Sequence, residues 1–139
     1  MITYLEDESP PSHNLVRKWV AQMAVGINAL HKMGIIHKNI KPENILLCGS
    51  NNIKIFDYGI AYVHHEAVTH GNEYSFDIRG TEPYLAPERR ERKKYGPAVD
   101  YWALGCIMFA IITCRVGFMF PSSFFVRIPW RGIRADIFQ

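Results

Sequence analysis

Between Leu15 and Leu30 the apolar residues Leu15, Val16, Trp19, Val20, Met23, Ala24, Ile27 and Leu30 recur every three or four positions, with Arg17, Lys18, Gln22 and Asn28 among the polar residues between them. That period places them on one face of an amphipathic helix. Ser12 or Asn14 supplies the polar group that starts it, and Gly34 stands where a left-handed residue would end it. Two short β-type runs follow, Ile45-Leu46-Leu47-Cys48 and Ile53-Lys54-Ile55-Phe56, separated by Gly49-Ser50-Asn51-Asn52. Runs of this kind around a turn-tolerant tetrad predict a β-hairpin. From Val99 to Thr113 the chain is apolar nearly all round, which predicts a second helix that must be buried. Ala61 to Arg79 is polar, histidine-bearing and without sustained period, which predicts a long mobile surface loop. Pro83, Pro87 and Pro97 break the section after it into turns. The first fourteen residues, with Glu6-Asp7-Glu8 and Ser9-Pro10-Pro11-Ser12, predict little regular structure, and Pro121 to Gln139 alternates aromatics with arginines without a period to assign.

Composition narrows this picture without changing it. A chain of 139 residues has room for one ordinary core. Its 48% hydrophobic and 21% charged residues fit a folded globular protein and not a disordered tail. A net charge of +3 is small for a general nucleic-acid binder, and no specific nucleic acid is expected as a partner. The one tight basic run, Arg89-Arg90-Glu91-Arg92-Lys93-Lys94, reads as a solvated loop in preference to a nuclear-import patch. Tyr101 to Cys114 is short of the roughly twenty apolar residues that cross a bilayer, so no membrane span is expected. Cys48, Cys106 and Cys114 form neither a C-x-x-C pair nor an even set, which argues against a disulfide framework or a zinc site. With no secretory leader pattern at the start, the expected location is intracellular, cytoplasmic or nuclear. His64, His65 and His70 could make a metal cluster by composition, although unliganded loop side chains are the simpler reading.

Candidate chemistry lies between the helices. The stretch His37-Lys38-Asn39-Ile40-Lys41-Pro42-Glu43-Asn44 is followed, across the hairpin, by Asp57-Tyr58-Gly59. Magnesium prefers hard oxygen ligands, and the amide of Asn44 with the carboxylate of Asp57 would provide them, since a hairpin brings its two ends to one edge. Lys41 adds a cation near the same edge. Further on come Gly80-Thr81-Glu82-Pro83-Tyr84-Leu85-Ala86-Pro87-Glu88 and Asp100-Tyr101-Trp102-Ala103-Leu104-Gly105-Cys106. Any one of these blocks is common by chance. Together, in this order and spacing, they resemble the eukaryotic protein kinase family of the serine/threonine type.

The resemblance implies a mainly α, partial kinase-like larger lobe with a small β-hairpin. It covers residues 15–118, leaving 1–14 as a linker in which Met1 to Glu6 resemble the end of an inter-lobe hinge, and 119–139 as an unassigned tail. It implies Mg2+ and ATP as cofactors, with Asn44 and Asp57 on the metal. Lys41 would contact the transferred phosphate, and Thr81 would bond both it and the base position. His37 and Asp100 would be structural, with Asp100 bonding backbone groups around His37. Glu88 would pair with a late arginine that the sequence does not identify. A protein substrate or protein partner would follow, as would phosphate on Thr69, Tyr74, Ser75 or Thr81 paired by Lys38.

Three departures qualify the resemblance. Asn39 occupies the position of the catalytic aspartate, and an amide cannot take up a proton at neutral pH. General-base catalysis is worth roughly 10²- to 10⁴-fold, so impaired transfer is expected. No G-x-G-x-x-G and no V-A-I-K-like lysine occurs in the 139 residues, which argues against tight ATP binding by this chain. The similarity fades after Phe118, which would leave the helix over 99–113 uncovered and open to self-association or chaperone capture. Three functions therefore stand side by side: a truncated serine/threonine kinase domain, a pseudokinase acting as scaffold or binding module, and a non-functional truncated product.

Overall fold

The computed structural model describes residues 11–113. The hinge-like Met1 to Glu6, Cys114 and the 119–139 tail lie outside the described residues. Helix α1 spans His13–Lys32 and starts where the polar pattern places it: Ser12 is the N-cap, its hydroxyl accepting from the Leu15 N–H at 3.3 Å. Its apolar stripe is inward, with Trp19, Met23 and Ile27 wholly buried. Met33 closes the helix and Gly34 follows at φ +79.

The hairpin forms as expected. Strands β2 (Ile45–Cys48) and β3 (Asn52–Ile55) pair antiparallel, with Ile45 opposite Ile55 and Cys48 opposite Asn52. The turn between them holds Ser50 and Asn51 at positive φ. Helix α1 grips this turn through polar side chains: Lys18 Nζ donates to Ser50 O at 2.7 Å and the Trp19 indole to Asn51 O at 3.2 Å. Gln22 accepts from the Ile53 N–H at 2.9 Å and donates to Asn52 Oδ1 at 2.9 Å. Residues on one helix thus set the hairpin's position, and the hairpin's end sets the site.

A second two-stranded sheet was not expected. Strand β1 (Ile35–Ile36) pairs antiparallel with β4 (Tyr62–Val63). Both strands are too short for a period-2 signal to show in the sequence. With them the stretch from Ala61 to Arg79 departs from a free surface loop. His64 N–H donates to Gly34 O at 2.8 Å, and Val68 is buried with its N–H on His31 O at 2.9 Å. Further along, Ser75 and Tyr95 form an isolated antiparallel bridge.

Short helix α2 (Pro87–Arg90) precedes helix α3 (Ala98–Thr113). Val16, Trp19, Met23 and Ile27 of α1 share a core with Ala103, Leu104, Cys106, Ile107, Ala110 and Ile111 of α3, and with Ile40, Ile45 and Tyr84. Each large side chain among these contributes about 1.5–3 kcal/mol of burial. Helix α3 is nevertheless not buried all round: Met108 and Ile112 are 41% and 52% exposed. Its apolar surface exceeds what α1 covers. Cys48 and Cys106 are free thiols, and burial pushes that of Cys106 up to about 11. Among the described residues no helix is long and apolar enough to cross a membrane.

One carboxylate joins these layers. Asp100, in the first turn of α3, is 1% exposed and accepts three hydrogen bonds: from the His37 N–H at 2.8 Å, the Lys38 N–H at 2.8 Å, and the His31 ring, whose Nε2 lies at 2.9 Å. It thereby links α1, α3 and the segment after β1.

Two predictions follow from this packing. A Cβ on Gly34 would collide with the carbonyls of His64 and Glu66 at a left-handed backbone position, whereas one on Gly105 in α3 meets nothing within 4 Å. Gly34→Ala should therefore lower the urea-unfolding free energy by more than about 1 kcal/mol, and Gly105→Ala should raise it by about 0.5–1 kcal/mol. Asp100→Asn should destabilise by about 1–3 kcal/mol in the same measurement, because an amide nitrogen replaces one acceptor and faces donors.

Candidate active site

The site grows from the loop between β1 and β2. Its backbone is held at both ends of Lys38, which sits at φ +68, a left-handed conformation uncommon for a long side chain. The Lys38 N–H is fixed by Asp100, and its carbonyl accepts from Arg89 Nη1 at 2.7 Å. A backbone strain of about 1–3 kcal/mol persists only where surroundings over-determine it, as they do here. His37 is fully buried, its Nε2 3.0 Å from Phe56 O and its ring 5.0 Å from that of Tyr58. It thus joins this loop to the end of β3 in the structural role expected of it.

Asn39 lies next in the chain. Its side-chain Oδ1 accepts from Thr81 Oγ1 at 3.1 Å, its backbone N–H donates to His37 Nδ1 at 3.3 Å, and its carbonyl accepts from Asn44 Nδ2 at 2.8 Å. The Thr81 contact to the base position, expected from sequence, is present across 42 residues of chain. With Oδ1 engaged by Thr81, the remaining side-chain group of Asn39 is an NH2. That group donates hydrogen bonds and cannot remove a proton.

Asn44 and Asp57 are brought to one edge by the hairpin. Pro42–Asn44 forms a 3-10 turn, after which Ile45 pairs with Ile55. The Phe56 N–H then donates to Asn44 O at 3.1 Å, which leaves Asp57 as the next residue beyond the pairing. Asn44 is 4% exposed, and its amide nitrogen is committed to Asn39 O. Asp57 is exposed, in a left-handed conformation at φ +66, with Oδ1 accepting from the Gly59 N–H at 3.3 Å. Among the described residues Asp57 makes no ion pair, and no cluster of three or more His, Cys, Asp or Glu is arranged for a metal. An amide oxygen and one carboxylate fit Mg2+, which keeps waters and shares ligands with phosphate in preference to an all-protein cage. Lys41 is half-buried at the mouth of the 3-10 turn, with its carbonyl accepting from the Asn44 N–H at 2.9 Å.

The sequence signals missed a second cluster beside the first. Lys38 Nζ is buried and donates to Asp77 Oδ2 at 2.5 Å, so the lysine expected to pair a phosphate already has an anion. Partial burial alone would raise the Asp77 carboxyl, but the hydrogen bond and charge of Lys38, with Arg79 adding to them, outweigh it and hold it well below its ordinary 3.8. Arg89 corrects the reading of the basic run as solvated: α2 turns it inward, 2% exposed, onto the carbonyls of Lys38 and Arg79. Arg92, Lys93 and Lys94 do face solvent. Glu88 makes no ion pair among the described residues. The histidines of the loop pack on aromatic rings: His64 lies 5.2 Å from Tyr74, and His70 lies 5.5 Å from Tyr101.

Known proteins are similar to this chain in sequence. The family pattern described as protein kinase domain matches residues 1–123. Hormonally up-regulated neu tumor-associated kinase homolog B of Xenopus laevis is 39% identical over 103 residues, covering 73% of this chain and 16% of that protein. Ribosomal protein S6 kinase alpha-1 of Homo sapiens is 36% identical over 118 residues, 85% of this chain and 16% of that protein. Ribosomal protein S6 kinase beta of Caenorhabditis elegans is 34% identical over 113 residues, 81% of this chain and 20% of that protein. The chain spans a fifth or less of the length of these relatives. The match covers the loop after β1, the hairpin and α3, and by it the chain belongs to the protein kinase family.

Proposed function

We propose that this chain is a serine/threonine-type kinase module that retains a place for magnesium and nucleotide phosphate but transfers phosphate to protein hydroxyls weakly. The family uses Mg-ATP and acts on protein substrates. The observation that carries the reading is the bond from Thr81 Oγ1 to Asn39 Oδ1. It supports a base position kept in its frame while its chemistry is lost. A carboxylate there could accept a substrate proton; the amide oxygen can accept a hydrogen bond but is too weak a base to take the proton.

Asn44 and Asp57 would hold Mg2+, and Lys41 would meet the transferred phosphoryl group. Bound there, Mg2+ would neutralise charge on the nucleotide phosphates. The chain's own residues contribute the rest. Asn44 is oriented by its bond to Asn39 O, Asp57 is placed by the Phe56–Asn44 pairing, and Lys41 supplies a fixed positive charge. The serine/threonine assignment is supported by Lys41 and Thr81 themselves. A scaffold role rests on the same substitution at Asn39, because a module that binds nucleotide without efficient transfer can still present a surface to a protein partner. Partner binding through the exposed Met108 and Ile112 side of α3 belongs to that reading.

Titration with Mg-ATP should raise the melting temperature of the chain, with saturation at 100 times Kd giving about 2.7 kcal/mol of stabilisation. Asp57→Ala and Asn44→Ala should each reduce the shift; no shift at millimolar nucleotide would contradict a retained site. In protein that does bind, Asn39→Asp should raise phosphoryl transfer by roughly 10²-fold or more. An unchanged rate would show that the missing base is not what limits transfer.

A further inference from the structure

The cluster around Asp77 is not used by the chemistry above, and its charges do not balance. Three cations converge on one carboxylate. Lys38 Nζ donates to Oδ2 at 2.5 Å, Arg79 Nη2 donates to the same oxygen at 3.3 Å, and Arg89 Nη2 stands 3.7 Å from Oδ1, an ion pair too long for a hydrogen bond. Ser75 Oγ adds a third donor to Oδ2 at 3.2 Å. The Lys38 and Arg89 side chains are 2% and 3% exposed, so neither charge is relieved by water. Asp77 Oδ1 and Arg89 Nε are buried without a hydrogen-bond partner. The Arg89 guanidinium also lies 4.8 Å from the centre of the Tyr95 ring, against the Ser75–Tyr95 bridge.

These groups come from three places in the chain: Lys38 from the loop that carries Asn39, Arg79 from the end of the 61–79 segment, and Arg89 from α2. An unpaired buried cation costs several kcal/mol, so two of them together require an anion. The only carboxylate that meets them among the described residues is Asp77.

We infer that Asp77 is a built-in anionic latch that holds the 61–79 segment against the Lys38 loop, so that this chain needs no phosphate on Thr69, Tyr74, Ser75 or Thr81 to order the segment. The inference goes beyond the proposed function and does not depend on nucleotide binding. Phe76 and Ile78, 74% and 48% exposed, flank Asp77 and gain little by burial, so beyond the Ser75–Tyr95 bridge this part of the backbone is fixed by the Asp77 ion pairs and the Arg89 bond to the Arg79 carbonyl. The pocket is selective for anions by charge count, so removing the carboxylate leaves a cationic cavity in which another small oxyanion can take its place.

Hydrogen exchange by mass spectrometry on the full chain tests this. Asp77→Ala should speed exchange of peptides within 61–79 and 36–41 by about tenfold or more, with peptides of α1 changing less than about twofold, since local opening leaves the rest folded. Asp77→Glu should retain protection. Inorganic phosphate at about 10 mM should restore protection to Asp77→Ala, and chloride at matched ionic strength should not, because rescue follows binding of the anion to the closed state. Unchanged exchange in Asp77→Ala, or equal effects of phosphate and chloride, would overturn the latch. If Asp77→Ala unfolds throughout, Arg79→Ala serves instead, since that side chain is 62% exposed. It should speed exchange only within 61–79, and unchanged or uniformly faster exchange would overturn the latch.

Discussion

The described fold depends on a buried carboxylate whose two oxygens share three donors. Asp100 enters the core in the first turn of a helix that is otherwise nearly all apolar, and burying such a charge is unfavourable unless its lone pairs are met. They are met by two backbone N–H groups and a histidine ring. Because His37 and Lys38 must present their N–H groups to it, the loop after β1 has little choice of path. That path puts Lys38 into a left-handed conformation and delivers Asn39 to Thr81. Helix packing, loop geometry and the Thr81–Asn39 bond are thus consequences of one contact set.

What the sequence made legible is what has a local or periodic cause. The α1 stripe, its Ser12 cap, Gly34, and the hairpin around Gly49 to Asn52 follow from side-chain spacing and turn chemistry, and all are present. The Thr81 and Asp100 contacts are legible only through the resemblance of motif blocks, since no local rule links residues 42 or 63 positions apart. The β1–β4 pair has only two residues on each side, below the length at which alternation can be seen. Asp77 and Arg89 were missed for a related reason. Each lies in a segment whose composition reads as solvated, and only the chain's return on itself at Tyr95 and α2 places their charges together. Composition alone implies a wholly buried α3, because it reports apolarity and not the number of neighbours available to cover it.

Chemically, the arrangement separates two requirements of phosphoryl transfer. Positioning depends on backbone and on side chains that do not react: Asp100, His37 and the Asn44–Asn39 bond. Proton acceptance depends on one oxygen, and there the chain has an amide already engaged by Thr81. Substituting the acceptor leaves the frame intact because the frame is set from α3 and the hairpin, not from residue 39. In the proposed reading, a frame for nucleotide outlasts the transfer reaction. The same separation holds at the second cluster, where Asp77 supplies charge to the segment without taking part in the chemistry.

The central claim is that the frame around Asn39 still gathers Asn44 and Asp57 into a metal-nucleotide site. Paramagnetic relaxation by Mn2+ in the presence of ATP tests it most directly, with the chain's amide resonances as the readout. Selective broadening of the Asn44 and Asp57 amides, abolished by Asp57→Ala and unaffected by Asn39→Asp, is expected. Absence of broadening at these two amides, or broadening spread evenly over α1 and α3, would contradict it.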